Sequence, residues 1–434
     1  MRGSFLLAVA LVACTPQAIA TPARSPTNAA ATGTPRAAKT ETPAAPASPT
    51  PIPIPRLTAR GMGTLAGDWV FIIRRSFQFI PGGQFEIGDR AVDTLILVPL
   101  DSTVPSAREV TVATFPSSIG RGVAPNNQLS AQFSPDGSRV VLSVALGPEG
   151  HEHLGLVILD LASGTVTELL SDPAYHYDTP AWSPDGGWII YGRRSVVDGS
   201  DSSLWIAPPE PFHNQRGPLI TAPPGGRAYV YGWMDNRTVL VSRSSEHYEV
   251  LEPFSVGGIP CQSCPPPEDS LRSIGGLTLQ GRDSADLRRA APRFIAVFEE
   301  DRTGRASIEV ADGPAGGTSL RVNEADLSTR LFRPRWRPGT DDFLFTREGP
   351  GDMPVGLFVF HARGGAPTTV TRQQVSLYAD WTPSGDEIVW VEGPSIGSAI
   401  RVVRADGTGE RVIHSDGGVP EGKIVTVDFG TVRF

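Results

Sequence analysis

His151 and His153 stand two residues apart, with Glu149 close by. In an extended segment that spacing puts both imidazoles on one side. It supplies two ligands of the four a structural zinc site needs, and an exposed polar loop before a strand accounts for the same residues. Cys261 and Cys264 form a C-x-x-C in the Pro-rich stretch Pro260-Cys261-Gln262-Ser263-Cys264-Pro265. This spacing suits a small disulfide, a redox pair or half a zinc site. No second C-x-x-C completes a zinc site, no His follows Cys264 to attach haem, and no long helix pattern follows as in redox folds. A local Cys261–Cys264 disulfide is the expectation, and no metal or cofactor is expected.

Hydrolytic chemistry has few carriers. The sequence contains no H-E-x-x-H and no Gly-rich phosphate loop between strand and helix. Acidic residues such as Asp198, Asp201, Asp352 and Glu392 could form an acid–base pair only if they converge. Two aromatic groups could instead bind. Tyr175, His176 and Tyr177 precede Asp178 in one connection, and Phe77, Phe79 and Phe85 lie in an apolar insertion over 76–91 around Pro81-Gly82-Gly83. Aromatic side chains supply stacking faces and a large contact area at small entropic cost. Packing down onto the frame is the alternative for both groups.

The frame that must position these residues is a repeat. Ser134-Pro135-Asp136-Gly137 follows Phe133, and Ser183-Pro184-Asp185-Gly186 follows Trp182. Thr382-Pro383-Ser384-Gly385 follows Trp381, and Arg337-Pro338-Gly339 follows Trp336. Ser, Pro, Asp and Gly in that order suit a type I turn, since Pro presets φ, Asp bonds nearby backbone and Gly takes the left-handed exit. The aromatic anchors Phe133, Trp182, Trp233, Trp336, Trp381 and Phe429 recur at about 45–51 residues, with one gap of about twice that. A degenerate unit near Leu279 fills the long gap. Each anchor but the last is followed by a β-rich run, then a third, and in many units a fourth after a Gly-containing turn. Four short strands per unit of about 40–50 residues predicts a β-propeller.

The ends fix the count. Trp69–Arg75 and Val92–Leu100 read as second and third strands without a first, and Val425–Phe429 reads as a first strand with nothing behind it. Placing the last strand in the first blade gives seven blades and removes two open edges. Six or eight blades follow if the 255–330 region is misread. The fold class is all-β, and the propeller occupies 57–434. The anchors are expected to be core between blades.

The remaining residues form two other segments. Residues 1–13 carry Arg2 and a short apolar run, Phe5–Ala13, ending in Leu11-Val12-Ala13-Cys14. The run is too short for a spanning helix and suits a signal peptide. Residues 14–56 are dominated by Ala, Thr and Pro and cannot repay the entropy of ordering, so they read as an extended tether. The formal net charge is −8, Lys39 and Lys423 are the only lysines, and no basic stripe exists. Nucleic acid is therefore not an expected partner.

Leu11-Val12-Ala13-Cys14 resembles a bacterial lipobox. That resemblance implies a lipid on Cys14 and an extracytoplasmic chain tethered to a membrane, at the cell surface or in the periplasm. Cleavage after Ala18-Ile19-Ala20, giving a secreted protein, is the alternative. Ala131-Gln132-Phe133-Ser134-Pro135-Asp136-Gly137 and Pro180-Ala181-Trp182-Ser183-Pro184-Asp185-Gly186 resemble the WD40-like repeats of TolB-type propellers. The resemblance is close over 127–222 and 329–415 and weak over 226–325. It implies fold, since propellers serve many activities. Similar repeats precede the hydrolase domain of prolyl-oligopeptidase-like peptidases, and no such domain is read after Phe434. The expected function is a monomeric, tethered scaffold binding a protein, peptide or glycan at the channel mouth. A cell-envelope glycan hydrolase or lyase is the alternative.

Overall fold

The structure, a computed structural model, describes residues 57–76, 92–101, 109–116, 131–147, 153–197, 201–210, 216–222, 226–244, 249–256, 277–279, 285–288, 293–300, 306–312, 318–323, 330–349, 353–372, 375–392, 399–415 and 424–434. All but a few connections among these residues are strands, and the strands form seven antiparallel sheets. Six sheets follow chain order, over residues 131–170, 175–221, 227–255, 277–323, 330–371 and 375–414. The seventh joins both ends of the chain. Ile424–Arg433 pairs with Asp68–Ser76, which continues through Val92–Pro99 and Val110–Pro116 to the short outer strand Thr58–Ala59.

The strands read as continuous apolar runs because both faces are covered. Val70 and Ile72 pack against Val389, Val391 and Ile400 of the sheet 375–414. Phe71 and Ile73, on the opposite face, pack against Val140, Leu142 and Val157 of the sheet 131–170. Alternation along a strand thus assigns each residue to one of two neighbours. Similar clusters join 131–170 to 175–221, 175–221 to 227–255, 277–323 to 330–371, and 330–371 to 375–414.

The anchors sit in these interfaces. Trp182, Trp233, Trp336 and Trp381 are buried, and each ends the inner strand of its sheet. The turns behind them have the expected chemistry. Ser134 Oγ donates to Asp136 Oδ1 at 2.6 Å and accepts from Arg139 N at 2.9 Å. Ser183 repeats this, with Asp185 Oδ1 at 2.6 Å and Trp188 N at 2.9 Å. Gly137 and Gly186 take φ of 72° and 71°, which an L side chain resists. The serine hydroxyls hold the Asp136 and Asp185 carboxyls below the usual carboxylate range.

The unit expected near Leu279 differs from the others. Its inner position is shared by two short strands, Leu277–Leu279 and Ala285–Arg288, both paired with Arg293–Glu300. The outer strand Thr58–Ala59 was not expected. Two residues carry no readable run, and they are ordered by pairing with Ala113 and Thr114.

Candidate functional site

Tyr175, His176 and Tyr177 open the inner strand Tyr175–Trp182 and do not form the exposed patch expected of them. Tyr177 is 3% exposed and packs with Leu156, Leu170 and Tyr191 in the interface with the sheet 131–170. Its ring meets Tyr191 edge-on at 5.9 Å, and burial pushes its hydroxyl up to about 12. His176 is 4% exposed, and its Nδ1 accepts the Leu154 backbone N–H at 3.0 Å. Burial first, then Arg194 and His153, pushes this imidazole down to about 4, so it is neutral at physiological pH. Burial follows from position, because an inner strand is covered on both faces. Tyr175 alone of the three is half-exposed. Arg193 stacks its guanidinium on Tyr175 at 4.2 Å and on Trp205 at 3.9 Å.

The other sequence candidates fare unevenly. His153 is buried, with Nε2 2.9 Å from Ser171 Oγ. Glu392 pairs with Arg401 at 2.7 Å. Asp201 is exposed and holds a φ of 56°. Cys14, Phe77, Phe79, Phe85, His151, Asp198, Cys261, Cys264 and Asp352 lie outside the described residues.

Two further groups were not anticipated. A cleft of about 700 Å³ opens at the turn end of the sheets 330–371 and 375–414, lined by Arg337, His361, Ser384, Asp386, Arg404 and Asp406 among others. This end is opposite to Tyr175, since Tyr175 starts its strand and the turn 183–186 follows its end. The second group lies on the inner strands. Asp380 Oδ1 accepts the Trp381 N–H at 2.8 Å, and the carboxyl also accepts from the Thr431 backbone. Asp286 Oδ2 accepts the Trp336 N–H at 2.7 Å. Burial pushes the Asp380 carboxyl up to about 6, with Arg335 opposing and Asp286 adding to the shift.

No family model matches the chain, and no curated protein matches it in sequence. Solved structures do match in fold. The β-propeller domain of the Trilobed protease from Pyrococcus furiosus matches with TM-score 0.52 and 12% identity, over 83% of this chain and 98% of that one. The chain is a β-propeller. The propeller also matches prolyl oligopeptidase B from Galerina marginata, at TM-score 0.51 and 7% identity, over 75% of this chain and 48% of that one. TolB from Acinetobacter baumannii matches at TM-score 0.42 and 12% identity, and this chain spans 79% of itself and 62% of that protein. The propeller therefore spans about two thirds or less of several of the proteins it matches. At these identities the likeness is one of fold.

Within the propeller, a repeated hydrogen bond joins sheet to sheet. Trp182 Nε1 donates to Gln132 O at 3.1 Å, Trp233 Nε1 to Ala181 O at 3.0 Å, and Trp381 Nε1 to Arg335 O at 3.0 Å. The acceptor is always the residue before the preceding anchor. Trp336 follows the irregular blade, and its Nε1 has no partner among the described residues. There the Asp286 carboxylate takes the Trp336 backbone N–H instead.

Proposed function

We propose that this propeller is a tethered, extracytoplasmic scaffold that binds a protein, peptide or glycan and leaves it chemically unchanged. One observation carries the reading. Asp286 and Asp380, two carboxyls on inner strands, accept backbone N–H groups of inner strands. They hold blades together and are poorly placed to move protons on a substrate. What varies is the connections, and variable loops on a rigid frame are where β-folds place recognition.

Seven blades closed by Ile424–Arg433 is the architecture we assign to this scaffold. It is supported by the pairing of that strand with Asp68–Ser76 and by the packing of the closing blade against both 131–170 and 375–414. Lipidation of Cys14, removal of residues 1–13, a 14–56 tether and a Cys261–Cys264 disulfide complete the proposal, and all rest on sequence. The recognition surface is assigned to Tyr175 with the 76–91 insertion bearing Phe77, Phe79 and Phe85. His176 and Tyr177 support it from within the blade interface.

The enzyme alternative has one observation in its favour. Burial, with a smaller push from Asp286, raises the Asp380 carboxyl, as a general acid requires. Capture separates the two. Purified full-length protein is offered envelope peptides and glycans, alongside Tyr175→Ala with Phe85→Ala. Retention by the wild type and loss in the double variant at unchanged melting temperature supports the scaffold. Equal retention by both removes the assigned surface.

A further inference from the structure

Residues 57–67 touch three separate parts of the molecule. Thr58–Ala59 pairs with Val110–Pro116 on the outer edge of the closing blade, and Arg60 N donates to Val112 O at 2.9 Å. The chain then crosses to the neighbouring blade, where Met62 N donates to Leu161 O at 2.8 Å and Gly63 N to Ala162 O at 3.1 Å. Gly67 O finally accepts the N–H of the C-terminal residue, Phe434, at 3.0 Å. Four apolar side chains of this segment face one cluster. Leu57, Ala59, Met62 and Leu65 pack against the core that contains Val432 of the closing strand and Leu159 and Leu161 of the next blade, with Phe434 beside them. Residues 57–67 and 432–434 therefore meet at the same seam.

We propose that residues 57–67 are a latch that holds the ring-closing strand in place. The closing strand pairs along one side with Asp68–Ser76, and at its end Phe434 N donates to Gly67 O. The latch ties that end to the outer edge of its own blade and to a turn of the neighbour. Tension arriving from the N-terminal side meets the latch before it reaches the closing strand. Because Arg60, Met62 and Gly63 bind backbone carbonyls of two blades, such a load is shared between them.

The contact at Gly61 provides the test. A Cβ there would lie 2.7 Å from Ser163 O and 2.8 Å from Ala162 O, both backbone atoms in the turn the latch crosses. Gly61→Val in the full-length chain is expected to part the latch from that turn. Hydrogen exchange of backbone amides reads the outcome. The latch predicts about tenfold faster exchange at Met62 and Gly63 and also along 424–433. Gly339→Ala, at a φ of 72° with nothing within 4 Å of its Cβ, controls for loss of stability in general. Faster exchange at 62–63 with an unchanged closing strand overturns the proposal, and so does equal acceleration of 424–433 by Gly339→Ala. Gly61→Ala sets only one carbon against the same carbonyls and reads the same amides if the valine variant does not fold.

Discussion

The indole Nε1 of Trp381 donates to the backbone carbonyl of Arg335 at 3.0 Å, across the boundary between two blades. The same bond recurs from Trp182 to Gln132 and from Trp233 to Ala181. One residue thus fills the interface with a large ring and satisfies a carbonyl of the preceding inner strand. Trp381→Phe keeps most of the ring and leaves that carbonyl without its partner, at an expected cost of about 1–3 kcal/mol. Trp336→Phe removes an N–H with no partner among the described residues, so the smaller loss is expected there. Urea melts of the two variants make the comparison. Equal losses would show that ring volume, not the hydrogen bond, sets the cost.

The buried tyrosine offers a second check. Tyr177→Ala opens the interface against Leu156 and Leu170 and is expected to cost about 3–5 kcal/mol, as for other large aromatic truncations. Tyr175→Ala removes a half-exposed ring under Arg193 and should cost much less. A small effect of Tyr177→Ala in thermal melts would contradict its placement in the core.

Asp380 makes stability depend on pH in a defined direction. Its carboxyl titrates at about 6 in the folded chain, against 3.8 for an unperturbed group. The folded state therefore holds a proton that the unfolded state releases between these values. This contribution is full below pH 3.8 and is lost as pH rises through about 6. From pH 5 to 7.5 the wild type should lose stability relative to Asp380→Asn, whose own profile is flatter over that window. Denaturant titrations at several pH values read the difference. Parallel profiles would show that Asp380 does not titrate there.

The repeated turns respond to acid with the opposite sign. The Asp136 and Asp185 carboxyls are held low, chiefly by Ser134 and Ser183, so their contribution is present above pH 3.8 and lost as pH falls through the lowered values. Ser183→Ala removes the donor to Asp185 and the acceptor for Trp188 N. It is expected to cost about 1 kcal/mol and to weaken the acid dependence below pH 4. An unchanged acid limb would place that dependence elsewhere.

Much of the frame was legible because its signals are chemically loud. A large aromatic ahead of a Ser-Pro-Asp-Gly turn marks both an interface and a chain reversal, and Trp182 and Trp381 sit as those signals required. The site was far less legible. Tyr175, His176 and Tyr177 resemble a polar connection, since Asp178 and Pro180, both depleted in strands, follow them. Their strand identity comes from the partners Arg193, Arg194 and Ser195 on the adjacent strand. The split inner position of the 277–323 blade and the strand Thr58–Ala59 were hidden for a related reason. Each is too short to carry a readable run of its own.

The mass of what the protein binds tests the central claim most directly. Wild-type protein is incubated with defined peptide and glycan pools, and bound and unbound fractions are weighed by mass spectrometry. The scaffold account predicts retained ligands of unchanged mass and no new species over time. Accumulating cleavage products, abolished by Asp380→Asn or Asp286→Asn in a folded variant, would contradict it and make the propeller an enzyme.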